Sequence, residues 1–158
     1  MQRTRSALVL GTALAMAAPA VAQAQAAPDA ETMRAVAANA LTWTDASVPG
    51  FAPGMKMAVI HGNPDSAGSY TMRLSFPDGY KFPAHWHPMT ENVTVLTGSV
   101  LVGMGERVDE SSLKAYDPGD YLYIPAKMPH FGGARGYTVI QLHGQGPFTI
   151  NLVEPARP

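Results

Sequence analysis

The chain has 158 residues, 46% of them hydrophobic and 15% charged, with no cysteine and a formal charge of −1 at pH 7. That is one globular domain at most, with enough apolar content for a core. The missing cysteine excludes disulfides, thiolate metal sites and a cysteine nucleophile, and the balanced, scattered charge excludes the basic field that nucleic acid requires.

Residues 1–26 read as a cleaved secretory signal. Arg3 and Arg5 form a basic head, SALVLGTALAMAAPAVA is apolar and Ala-rich, and small-residue cleavage sites follow at Ala22, Ala24 and Ala26. Pro19 and the shortness of the apolar run argue against a membrane anchor. The expected location is therefore periplasmic or secreted, by the general secretory route, because Thr4 separates the two arginines. Removing them leaves 9 basic against 12 acidic residues, a mature charge of −3.

Residues 27–54 are expected to form a short helix and a wrapping loop. The helix would run from Asp29 to Ala40, with Asp29 as N-cap and Glu31 in the first turn. The segment TWTDASVPGFAPG carries two Pro-Gly signals and no periodicity, and Trp43 and Phe51 are candidates to cover one end of a pocket.

From residue 55 to the end the chain reads as short strands divided by turns: 55–61, 69–76, KFPAHWH, ENVTVLT, VLVGMG after a turn at Gly98-Ser99, YLYIP after Asp117-Pro118-Gly119-Asp120, HFGG, YTVIQLH and FTINLV. Strand follows strand without long helical patterns, so the fold class is all-β and antiparallel, a sandwich or a barrel.

The chemistry concentrates in GYKFPAHWHPMTENVTVLTG, residues 79–98. Side chains alternate along a strand, so His85 and His87 share a face with Trp86 opposite, and Glu91 follows four residues on. Two imidazoles and a carboxylate suit a divalent transition metal, whether Fe, Mn, Cu, Ni or Zn, and a third histidine from elsewhere would complete a site with an open position.

Two spacings now carry a resemblance. Gly79, five residues, His85, one residue, His87, three residues, Glu91, six residues and Gly98 resemble the first motif of the cupin superfamily; Gly119, five residues, Pro125 and then His130 resemble the second. Lys127 stands where the second motif usually has Gly, and Ala134 where it usually has Asn. The resemblance implies an antiparallel jelly-roll β-barrel over residues 55–158. It also implies one metal ion held by His85, His87, Glu91 and His130, with Glu91 either ligand or catalytic base. If the turn needs a positive φ, Lys127 costs it on the order of 1 kcal/mol.

On YTVIQLH, Gln141 and His143 share a face and are candidates to stand behind the metal ligands, although the opposite face, with Thr138, Ile140 and Leu142, reads at least as well as core. Tyr121 and Tyr123 share a face, and Tyr123 is a candidate to offer its hydroxyl near the site. The functional expectation is an exported mononuclear metalloenzyme, an oxidoreductase of dioxygenase type acting on a small organic substrate. A non-redox isomerase or lyase acting on a sugar acid or small carboxylate is one alternative, and a non-catalytic metal- or ligand-binding module another. No nucleic-acid partner is expected, nor a membrane one once the signal is removed, and a homodimer is the default assembly.

Overall fold

The computed structural model describes residues 32–153. The expected signal, the Asp29 cap and Glu31 lie outside the described residues. By contacts the chain divides between Arg34 and Ala35, and the whole sheet belongs to Ala35–Pro158.

Of the expected helix, the described part holds a single 3₁₀ turn, Ala38–Ala40, preceded by Ala37 in an extended conformation. Residues 32–40 are all exposed. A short helix draws most of its stability from an apolar face buried on something, and the described residues of this segment bury none.

The sheet has nine strands: β1 (Thr44–Asp45), β2 (Lys56–His61), β3 (Gly68–Phe76), β4 (Lys81–Trp86), β5 (Glu91–Met104), β6 (Lys114–Tyr116), β7 (Tyr121–Ile124), β8 (His130–Gly146) and β9 (Asn151–Leu152). Every pairing is antiparallel, in the order β1-β2-β3-β8-β4-β9, with β5 joining β8 to β6 and β7. This is the all-β antiparallel architecture the strand pattern predicts, one sheet curled on itself as a half-closed barrel. Its core is apolar, with Met72, Leu142 and Val95 almost wholly buried alongside Phe76, Phe82 and Ile140.

Two features differ from the expected strand list. The turn predicted at Gly98-Ser99 is a bulge inside the 14-residue β5, and HFGG and YTVIQLH join as the 17-residue β8. Gly98 has φ 66°, and the β5–β8 register shifts on both sides of Thr97. The extra residue bends the strand and changes the buried phase, from Val93 and Val95 before it to Val100 and Val102 after it. A Cβ at Gly98 would stand 2.6 Å from the Tyr137 carbonyl oxygen and collide with the Thr138 hydroxyl, so only glycine fits. The bend keeps both halves of β5 lining the interior, which is how Glu91 at its start and Val102 near its end face one cavity.

FTINLV contributes only β9 to the ladder. Phe148 and Ile150 instead line the interior cavity, and their neighbourhood finds hydrogen bonds outside the sheet: the Phe148 N–H donates to the Pro64 carbonyl at 2.7 Å, and the Thr149 carbonyl accepts from His87. No helix among the described residues is long and apolar enough to cross a membrane.

Candidate metal centre

His85 and His130 are directly opposed across the β4–β8 pair, so their side chains emerge on the same side. His87 lies two residues beyond His85 and turns the same way. The ligand atoms of all three lie within 4.8 Å of one another, and all three rings are buried, at 6%, 5% and 3% exposure. Glu91, the first residue of β5, brings its Oε2 to 3.6 Å from His87 Nε2 and 3.5 Å from His130 Nε2.

The second nitrogen of each ring is already committed. Nδ1 of His85 donates to the Pro83 carbonyl at 2.7 Å, that of His87 to the Thr149 carbonyl at 2.8 Å, and that of His130 to the Met128 carbonyl at 3.0 Å. A carbonyl only accepts, so each Nδ1 carries the proton and each Nε2 faces the shared centre. His87 Nε2 is buried without any hydrogen-bond partner. Leaving a buried acceptor unpaired costs about 1–3 kcal/mol, and a cation at the centre removes that cost. The 3.5–3.6 Å spacing also suits two ligands of one first-row ion, since bonds of 2.0–2.2 Å at a tetrahedral angle hold their donor atoms about 3.4 Å apart. The residues present therefore fit a divalent transition metal.

The electrostatics of the metal-free cluster agree with that geometry. Burial, then the charge of His130, pushes His85 down to about 4 despite its bond to Pro83. Burial also lowers His87, more than Glu91 and the Thr149 bond raise it. For His130 burial works downward too, but contact with the Glu91 carboxylate outweighs it and the imidazole is raised. Burial would raise Glu91, yet the His130 contact and the neighbouring imidazoles more than offset it, holding the carboxyl below its ordinary value. Without metal, then, His130 and Glu91 share a charge pair while His85 and His87 stay neutral.

The cluster opens on an interior cavity of about 50 Å³. At roughly 10–15 Å³ per water, that holds about three to five waters or one small molecule. Apart from the histidines and Glu91, its walls are apolar: Phe51, Phe82, Leu122, Ile124, Phe148 and their neighbours. Phe51 lines this space as expected, its ring edge-on to His85 at 5.2 Å; Trp43 is not among the lining residues.

Gln141, His143 and Tyr123 do not join the cluster. Strand alternation puts Thr138, Ile140 and Leu142 inside, which turns Gln141 and His143 outward. The Gln141 Oε1 accepts from Arg73 Nε at 3.1 Å across the outer face, and His143 is exposed. Tyr123 is 62% exposed, since Leu122 and Ile124 take the inner face of β7. The Lys127 side chain is also exposed to solvent and lines no part of the cavity. Two residues that the spacing does not disclose do reach the site. Phe148 stacks on the His87 ring at 4.8 Å and 23°, and Thr149 acts through its backbone carbonyl, which no side-chain pattern reveals.

The family described as the ChrR cupin-like domain matches residues 31–149. Among curated proteins, germin-like protein subfamily 1 member 7 of Arabidopsis thaliana is 32% identical over 98 residues, which is 57% of this chain and 43% of that protein. The chain thus spans less than half the length of that relative. Among solved structures, the polyketide cyclase RemF from Streptomyces resistomycificus superposes with a TM-score of 0.65 at 19% identity, over 79% of this chain and 88% of that one. A proposed acetylacetone dioxygenase from Methylibium petroleiphilum PM1 gives 0.58 at 19% identity over 79% and 83%. A cupin-2 domain protein from Rhodospirillum rubrum gives 0.60 at 13% identity over 79% and 83%. At these identities the structures share the fold.

Proposed function

Because the chain belongs to the ChrR cupin-like family, we propose that it is an exported mononuclear metalloenzyme of dioxygenase type, acting on a small, largely apolar organic substrate. The observation that carries the reading is the cluster of three buried histidines, with the Glu91 carboxylate 3.5–3.6 Å from two of them, on a cavity whose other walls are hydrocarbon. His85, His87, His130 and Glu91 would hold the ion. When bound, it supplies open positions for substrate oxygen or dioxygen and offsets developing anionic charge.

The protein supplies the rest. Phe51, Phe148 and the aliphatic walls exclude water and admit an apolar body, which strengthens the electrostatics of the cluster. Released from the ion, the Glu91 carboxylate, within 3.6 Å of two imidazoles, is the group placed to take a proton from the substrate and return it. Oxidative carbon–carbon cleavage of an enolic or catecholic substrate takes its electrons from the substrate itself, leaves both oxygen atoms in the products and requires no external reductant. A sugar acid, by contrast, would bury several hydroxyls and a carboxylate against walls that offer no lysine, arginine, amide or hydroxyl side chain. Export rests on the Arg3, Arg5 and Ala-rich segment. A homodimer rests on β1 and β9 standing at the ends of the pairing order, without a further strand partner among the described residues.

The test is dioxygen consumption by metal-replete protein offered β-diketones, catechols and flavonols. The expected result is uptake matched to product, reduced about 10²–10⁴-fold by Glu91→Gln. Turnover of a small carboxylate under anaerobic conditions with Zn would establish a non-redox enzyme instead, and tight ligand binding without product would establish a binding module.

A further inference from the structure

His87 is built differently from the other two imidazoles. His85 and His130 donate Nδ1–H to carbonyls two residues back on their own segments, Pro83 and Met128, so each orientation is set locally. His87 donates to Thr149, 62 residues away, and its ring face lies against Phe148. It is also the ring whose Nε2 is left without a partner.

The segment holding it is pinned at both ends. The Phe148 N–H donates to the Pro64 carbonyl at 2.7 Å, and the Val153 N–H to the Ala84 carbonyl at 2.9 Å, with Asn151 and Leu152 paired to Trp86 and His85. The Phe148 ring is braced from another side by Tyr70, edge-on at 5.9 Å. Rotation of the ring out of its plane would lose the near-parallel stack, and a half-turn about Cβ–Cγ would keep the stack but lose the Thr149 bond, so the two contacts together select one orientation, with Nε2 toward the shared centre.

We propose that Phe148 is a positioning residue for His87: its ring holds the plane of the imidazole and keeps it on the carbonyl of the following residue, Thr149, and together they fix the tautomer and rotation that aim His87 Nε2 at the shared centre. The consequence for metal affinity rests on the metal-site reading above; the consequence for the imidazole does not.

Two readouts test this. In metal-free protein, long-range ¹H–¹⁵N correlation of the imidazoles reports the tautomer of each ring. Wild type and Phe148→Tyr should show His87 with its proton on Nδ1, and Phe148→Leu should show a mixture of tautomers at His87 while His85 stays unchanged. Phe148→Met, which keeps volume but not the flat face, serves if the leucine variant does not fold, and should also give the mixture. In the second readout Co(II) alone is titrated and followed by visible absorption. Phe148→Leu should bind at least tenfold more weakly than wild type with an altered spectrum, the size expected when a group orienting a ligand is lost. Phe148→Tyr and the outer-face control Trp86→Leu should stay within about threefold of wild type. A wild-type tautomer and wild-type affinity in both Phe148→Leu and Phe148→Met would overturn the proposal, as would an equal loss in Trp86→Leu. If wild type takes up no Co(II) while the tautomer shift is still seen, the metal reading fails and the positioning role stands.

Discussion

Lys127 is the only non-glycine among the described residues with a positive φ, 63°, in the turn that leads from β7 into His130. Its N–H donates to the His87 carbonyl at 2.7 Å, so the strained residue ties together the two segments that carry His87 and His130. Its side chain is exposed, so replacing it changes backbone preference and little else. A left-handed conformation costs an L-residue about 1–2 kcal/mol, and glycine gives back about 0.4–1 kcal/mol through its freer unfolded chain. Lys127→Gly should therefore stabilise the protein by about 0.5–1 kcal/mol, a rise of roughly 2–4 °C in Tm for a domain of this size. Lys127→Ala keeps the strain and should fall within about 0.5 kcal/mol of wild type, while Lys127→Val, β-branched in the same conformation, should lose about 1–2 kcal/mol. Urea and thermal unfolding of the metal-free chain measure the series. Glycine no more stable than lysine, or valine matching glycine, would refute the strain argument.

The metal-free protein should lose stability on acidification. His85 is lowered from 6.5 to about 4, so between those values the unfolded chain binds the extra proton and folding is weakened as pH falls, by on the order of 3 kcal/mol across the window. His87, also lowered, adds in the same direction, and so does Glu91 once pH drops below its ordinary range. His130 is raised and acts oppositely: its contribution is complete below its unfolded value and disappears as pH rises through its folded one. Urea midpoints of chelator-treated protein between pH 7 and pH 4 test this, and a flat or rising profile on acidification would contradict it. Because Gln141 and His143 face outward, Gln141→Ala and His143→Ala should leave metal affinity within about twofold of wild type. A tenfold loss in either, measured by competition with a chelator, would place them behind the ligands after all.

What the sequence made legible follows from how local each feature is. Alternation in AHWH is enough to put His85 and His87 on one side, and the two cupin-like spacings bring His130 to meet them. The same alternation left YTVIQLH ambiguous, because either face could be the inner one; burial of Thr138, Ile140 and Leu142 decides it. Gly98 looked like a turn because glycine serves turns and bulges alike, and only the pairing of β5 with β8 on both sides separates the two. The hold on His87 was invisible, since it is made by a backbone carbonyl and an aromatic face 61–62 residues away. The helix expected over Asp29–Ala40 has suitable composition, but its described residues are all exposed and gain no burial from folding up.

The central claim is one metal ion per chain, held by His85, His87, His130 and Glu91. Elemental analysis of purified protein beside His85→Ala and His130→Ala tests it most directly. The account predicts about one equivalent of a first-row transition metal in wild type and a loss of most of it in both variants. Full retention of metal in both variants would contradict it.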